Sequence, residues 1–362
     1  GNGNLVFFTE WINVLAHPNN RHRPTYLIKL QFSMMPQPPL ELPLSPASSV
    51  PGLTTDAVNR PDASSPSPVT TPPPLQPGDR LVVVAPSGAL RELDALRQGL
   101  DLWRSWGFEV EVPAAVGGRW GYLAGRDEER QQAWMEALIS PDYRAILCAR
   151  GGYGGARVLE QGPWPEAIPP KWLVGFSDIT SLLWGGLGRG LMGLHGPLMT
   201  TLASEPEWSQ QRLRALLMRQ AVPALRGLGW GGGRVTGPLL PANLTVATHL
   251  LGTPYEPNLD GAILALEDVT EAPYRIDRML THWRMMGKLK GVKGIALGRF
   301  SRCEPADNVP SFTVEEVLRD RLGDLGIPIV SGLPFGHDGD NAALPVGVSA
   351  HLNGDQGTLA IL

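Results

Sequence analysis

Cysteine is almost missing from this chain: Cys148 and Cys303 are the only two in 362 residues. Two cysteines build no disulfide framework, and neither sits in a zinc-ligand spacing, so both read as small apolar residues and a reducing, cytoplasmic setting is expected. Long hydrophobic runs are missing too. Nothing approaches the roughly 20 apolar residues of a membrane-spanning helix. An excess of one charge is absent, at net −4, so no global field favours nucleic acid or an anionic membrane, and neither is expected as a partner. No G-x-x-x-x-G-K-[ST] phosphate loop occurs, and no H-x-x-x-H or His/Cys cluster suggests a metal site.

Proline and glycine are plentiful, at 35 and 43 residues, and the prolines concentrate before residue 80. No methionine precedes Met34. Translation is therefore expected to start at Met34 or Met35, with 1–33 an upstream extension. The Pro/Ser/Thr-rich stretch that follows cannot bury enough apolar surface to offset its ordering entropy, so 1–76 reads as a disordered tail.

Order begins at Pro77-Gly78-Asp79-Arg80. Leu81-Val82-Val83-Val84-Ala85 is a continuous run, the mark of a strand buried on both faces. It ends in the turn Pro86-Ser87-Gly88. Helical periodicity over Leu93–Trp106 follows, then a strand over Phe108–Val112, a helix over Asp127–Ile139 and a strand over Tyr143–Ala149. Strands alternating with helices indicate a doubly wound parallel sheet of the flavodoxin or Rossmann kind over 77–203. Residues 204–233 read as a connection, with a helix over Trp208–Gln220 and a glycine-rich stretch at Gly227–Gly233. A smaller α/β or β-rich domain is expected over 234–362.

In such sheets ligands bind beyond the carboxyl ends of strands. Three loops occupy that position here. The first is the Pro86–Gly88 turn. The second is Arg150-Gly151-Gly152-Tyr153-Gly154-Gly155, which fails the dinucleotide pattern, since Arg157 stands where a third glycine should be. Its backbone N–H groups suit an oxyanion, a phosphate, or nothing beyond a tight turn. The third is Leu173-Val174-Gly175-Phe176-Ser177-Asp178-Ile179-Thr180, where strand, turn, serine and helix follow each other. That is the layout of a nucleophile elbow, although the second glycine of G-x-S-x-G is missing. Helix capping by Ser177 or Asp178 is the plainer alternative.

Glu267 and Asp268 end a strand over Ala262–Leu266, and either one suits function or a turn cap. His195, before Gly196-Pro197, and His337, after Phe335-Gly336, are the histidines in loops. His17 and His22 fall in the extension; His249, His282 and His351 read as surface or packing residues. A serine, a strand-end acid and a loop histidine give the order Ser…Glu…His of α/β-hydrolase triads.

Six segments occur in a fixed order: Ala85–Gly88, Arg150–Gly154, Gly175–Thr180, His195–Pro197, Leu266–Asp268 and Gly332–His337. From Leu81 to the C-terminus the chain resembles the LD-carboxypeptidase family of serine peptidases, which includes muramoyltetrapeptide carboxypeptidase and the microcin C immunity peptidase. The resemblance implies a Ser177, His337 and Glu267 triad, with an oxyanion hole from the N–H groups of Asp178, Gly151 and Gly152. It implies substrate contacts at Ser87, Tyr153, His195 and Asn243, no metal or organic cofactor, and a homodimer. The implied substrate is a murein tetrapeptide, cut before its terminal D-alanine in cell-wall recycling. The immunity peptidases stack an interdomain aromatic on a nucleotide base, for which Trp208 and Trp230 are the candidates. A non-catalytic module binding a phosphorylated ligand through the glycine loop is the alternative of another class. The family's Trp-Gly-Gly-Asn-Leu is replaced by Leu240-Pro241-Ala242-Asn243-Leu244, which leaves side-chain preference open.

Overall fold

The computed structural model describes residues 71–362 apart from 163, 166 and 167. The expected tail before residue 71 and the expected start site lie outside these residues. The described residues belong to one packed unit.

The first sheet uses β1 (Arg80–Val84), β2 (Glu109–Glu111), β3 (Ala145–Cys148), β4 (Lys171–Gly175) and β5 (Leu191–His195). Helices α1 (Leu93–Ser105), α2 (Asp127–Ile139), α3 (Gly155–Glu160) and α4 (Thr180–Gly185) alternate with them, and α5 (Glu207–Leu217) follows. The order β5-β4-β3-β1-β2, parallel throughout, is the flavodoxin-like winding. Its strand order reverses between β1 and β3. The Pro86–Gly88 turn and the glycine loop therefore face each other across the switch point.

The continuous apolar runs follow from burial on both faces. Val82 and Val84 enter one core, Leu81 and Val83 the other. Alternate side chains of a strand point to opposite faces, so both sets must be apolar. Asp127, Glu128 and Glu129 crowd the first turn of α2, where the helix dipole favours negative charge.

The second sheet draws on β6 (Leu225–Arg226), β7 (Leu228–Trp230), β8 (Arg234–Asn243), β9 (Ile263–Val269), β10 (Gly294–Ser301) and β11 (Ile329–Ser331). After β12 (Leu344–Pro345) come β13 (Ser349–Asn353) and β14 (Thr358–Ile361). Its helices are α6 (Leu244–Leu250), α7 (Pro273–Met285) and α8 (Val314–Leu322). The order is β6-β14-β13-β8-β9-β10-β11-β7, with β8 to β11 parallel. This sheet has eight strands to the other's six, so it is not the smaller one. β6 and β7 come from the stretch read as connection: they pair at its two edges, and backbone hydrogen bonds outweigh the weak strand preference of glycine.

Two further features depart from the sequence reading. Leu75 was counted in the tail, yet its side chain is buried and its N–H donates to Leu217 O at 2.9 Å. β12 crosses back to pair antiparallel with β5 of the first sheet. One core runs through both sheets, joining Ile146 and Leu173 to Leu240, Leu264 and Trp283. Trp184 on α4 is fully buried there, and its indole N–H donates to Pro241 O at 3.1 Å.

Candidate active site

Ser177 stands one residue past Phe176 at the carboxyl end of β4. Its φ of 64° is left-handed, a conformation that non-glycine residues rarely adopt. Strain of this kind, between a strand and a helix, is the backbone of a nucleophile elbow. A short 3-10 turn over Ser177–Ile179 then feeds α4.

The glycine loop closes on this turn. A Cβ built on Gly151 would meet Ser177 Cβ at 3.0 Å and Oγ at 3.1 Å. A side chain at position 151 would press on the serine, and glycine lets the loop come this close. Gly88 N donates to Gly151 O at 3.1 Å, so the two switch-point loops are joined.

Asp178 is buried, and its side chain has a role the sequence did not reveal. Its Oδ2 accepts from Ser87 Oγ at 2.5 Å and from Gly155 N at 2.7 Å. Burial pushes its carboxyl above the usual range, against the pull of these two donors. Ser87 is fully buried, so it braces the elbow from behind and does not face solvent as a substrate contact would. Arg130, also buried, donates to Pro86 O and to Gly154 O, pinning both loops from α2. Nothing in the helical pattern of α2 distinguished it.

The acid and the histidine meet directly. Glu267 is fully buried, and its Oε2 lies 2.7 Å from His337 Nδ1. The two come from β9 and from the loop after β11. Glu267 lies within β9, which continues to Val269 rather than ending at Leu266. Gly336 has a φ of 113°, and a Cβ there would crowd Glu267 Cβ at 3.1 Å. Ser301 Oγ donates to His337 O at 2.6 Å, fixing the loop.

The choice between the two carboxylates follows the pleat. Asp268 points the other way, accepting from Thr245 N at 2.9 Å and Thr245 Oγ1 at 2.7 Å at the start of α6. Burial pushes its carboxyl up to about 6. Asn243 ties the pair together: Nδ2 donates to Glu267 Oε1 at 3.2 Å and to Asp268 Oδ1 at 3.1 Å, while Oδ1 caps α6. Asn243 is buried, so it orients the acid instead of lining an open surface.

His195 is the last residue of β5, not a loop residue, and it is fully buried. Its Nε2 lies 3.9 Å from Glu267 Oε1, while His337 takes the other carboxylate oxygen. Burial pushes the imidazole down to about 4. Phe176 packs against both imidazoles, at 5.8 Å from His195 and 4.7 Å from His337 between ring centres. The ring before Ser177 thus touches the histidine that binds the acid. Among the described residues no hydrogen bond reaches the Ser177 hydroxyl, a common state of substrate-free sites. Tyr153 is exposed at the tip of the glycine loop, 6.1 Å from Tyr122 between ring centres, as a surface contact requires.

The model of the LD-carboxypeptidase N-terminal domain matches residues 81–196, and that of the C-terminal domain matches 236–352. A Synechocystis protein that carries only a provisional carboxypeptidase name is 56% identical, over 83% of this chain and 100% of its own. The murein tetrapeptide carboxypeptidase of Pseudomonas aeruginosa is 33% identical, over 78% of this chain and 95% of its own. The crystal structure of muramoyltetrapeptide carboxypeptidase from Oxalobacter formigenes superposes with a TM-score of 0.68 at 32% identity, covering 77% of this chain and 97% of that one. The microcin C7 self-immunity protein shares the fold, at a TM-score of 0.71 and 21% identity over 80% of this chain and 98% of its own. With both halves of its double-sheet body matched, this chain belongs to the LD-carboxypeptidase family.

Proposed function

We propose that this protein is a serine LD-carboxypeptidase that removes the terminal D-alanine from murein tetrapeptides. One observation carries the reading: a buried Glu267 bonded to His337, whose ring packs on Phe176, the residue immediately before a strained Ser177 elbow. Nδ1–H directed at the carboxylate leaves the Nε2 lone pair free to act as base. His337 Nε2 takes the Ser177 proton as Oγ attacks the carbonyl of the penultimate residue. The N–H groups of Asp178 and of the Gly151-Gly152 turn receive the oxyanion. The intermediate collapses, the C–N bond breaks, and the D-alanine amine leaves with the proton from His337. Water, deprotonated by His337, then attacks the acyl-enzyme and releases the tripeptide and free Ser177. Each oxyanion donor is worth about 3 kcal/mol of barrier in such sites.

The test uses purified protein with defined tri-, tetra- and pentapeptide stems, with and without EDTA. Release of D-alanine from the tetrapeptide alone, unchanged by EDTA and lost in Ser177→Ala, is expected. Full release by Ser177→Ala would rule the mechanism out.

A second reading keeps the chemistry and changes the substrate to a peptidyl-nucleotide conjugate. Trp208 favours it. This indole is partly exposed and donates to Asp340 Oδ2 at 3.3 Å, three residues past His337. Trp230 is the poorer candidate, since Arg319 covers its ring at 4.9 Å on the edge strand β7. Competition between the two substrates, read by mass spectrometry, separates the readings.

A further inference from the structure

His195 is a polar side chain with nothing to bond. It is fully buried, and neither Nδ1 nor Nε2 has a hydrogen-bond partner among the described residues. An imidazole sealed away from water with both nitrogens idle is destabilising, since both polar atoms lose their water partners and gain none. A core built only for packing would place a leucine or phenylalanine there.

The surroundings say what the ring is for. β5 pairs with β4 so that His195 lies beside Gly175, two residues before Ser177. Glu267 arrives from the other sheet on β9. Its Oε2 is taken by His337, and its Oε1 has the long 3.2 Å bond from Asn243 together with the His195 Nε2 at 3.9 Å. A carboxylate oxygen accepts two hydrogen bonds with ease. The titratable groups facing His195 are Glu267 from β9 and His337 from the loop after β11; Asp268 shares the Asn243 amide on the far side. β4 offers Gly175 and Phe176, and β12 offers Leu344, none of them charged.

We propose that His195 is a positioning residue for the acid: its neutral imidazole, in the Nε2–H tautomer, donates to Glu267 Oε1 and holds the carboxylate aimed at His337. The tautomer follows from electrostatics. A lone pair turned toward a carboxylate is repelled, whereas an N–H is attracted. Desolvation keeps the ring uncharged at neutral pH, so no second cation competes with His337 for the acid. The 3.9 Å separation closes by a small ring movement as charge builds on the Glu267–His337 pair. The donor also lowers the basicity of Glu267, which keeps the proton on His337 and not on the acid in the transition state. His195 therefore acts on the reaction only through Glu267 and touches no substrate. This inference rests on the serine-peptidase reading above.

The test compares wild type with His195→Phe, which keeps the ring and removes the donor, and with His195→Gln, which restores an N–H. The readouts are the pH dependence of Ser177 labelling by a fluorophosphonate and the thermal midpoint. A third readout is the nitrogen NMR of labelled histidine in the wild type. A phosphonate needs no murein substrate, so an error in the substrate assignment leaves the result readable. His195→Phe is expected to label roughly 10-fold more slowly near pH 6.5, with the acid limb moved up by about half to one pH unit. His195→Gln should recover most of both. In the wild type His195 should stay a neutral Nε2–H imidazole from pH 5 to 9. A folded His195→Phe with the wild-type limb overturns the proposal, as does an Nδ1–H tautomer or titration of His195 within that range. A lower midpoint with an unmoved limb marks a packing role and overturns it as well. If wild type itself is not labelled, the serine reading fails, and the tautomer alone decides the His195–Glu267 contact.

Discussion

Asp178 Oδ2 accepts both the Ser87 hydroxyl, at 2.5 Å, and the Gly155 amide, at 2.7 Å, so one oxygen holds three loops together. The elbow, the β1 turn and the start of α3 meet at that atom. Because a single oxygen takes both donors, Asp178→Asn can keep both bonds through its own carbonyl oxygen. Burial also disfavours the charge that this change removes. Asp178→Asn is therefore expected to fold with wild-type or higher stability at pH 7 and to label at Ser177 within about threefold of wild type. Asp178→Ala strands two buried donors and should lose about 1–3 kcal/mol per unmet group. Urea titrations of both variants check this; an asparagine variant as damaged as the alanine one would contradict it.

A methyl group at position 151 would press on the hydroxyl of Ser177, at 3.1 Å. The backbone of Gly151 is not left-handed, so alanine brings crowding at the hydroxyl without a forbidden φ. Gly151→Ala should lower kcat about 100-fold or more, the scale of a lost oxyanion interaction. Its thermal midpoint should fall by only a few degrees. Steady-state kinetics beside a melting curve separate the two effects, and unchanged kcat would remove the loop from the reaction.

The Asp268 carboxyl, pushed up to about 6 by burial, links stability to pH. Its folded value lies above its ordinary value of 3.8. The folded state therefore holds an extra proton between about pH 4 and 6. Stability from this group is fully present below pH 4 and is lost as pH rises through 6, by about 3 kcal/mol for a shift of two units. Denaturation at pH 4, 5, 6 and 7 should show this component in wild type and lack it in Asp268→Asn. Parallel profiles for the two proteins would refute it.

The legible parts of the fold were those written in local chemistry. The apolar run of β1 announced burial on both faces, and α1 follows its periodic pattern, while α2 carries its acids in the first turn. The edges of the second sheet were not legible. Leu228–Trp230 is glycine-rich, and it becomes a strand because β11 offers free backbone partners. Arg130 was equally hidden, since its partners Pro86 and Gly154 come from two other loops.

By itself the sequence determined the alternation of strands and helices, the glycine loop, the strand-to-helix turn carrying Ser177, and a family resemblance that the comparisons bear out. These depend on neighbours along the chain, where propensity, turn chemistry and steric limits act. Residue pattern alone left open which histidine meets the acid and which carboxylate is that acid; the resemblance implied His337 and Glu267, and the tertiary structure brings these two to 2.7 Å. Glu267 and Asp268 are adjacent, yet the pleat sends them to opposite partners. His195 and His337 both lie near Glu267, yet only one bonds it at 2.7 Å. Ser87, Asn243 and His195 are buried because the sheets close over them. Pairing across 70 residues is set by strand order and by the seam between two sheets, and no local rule along the chain encodes it.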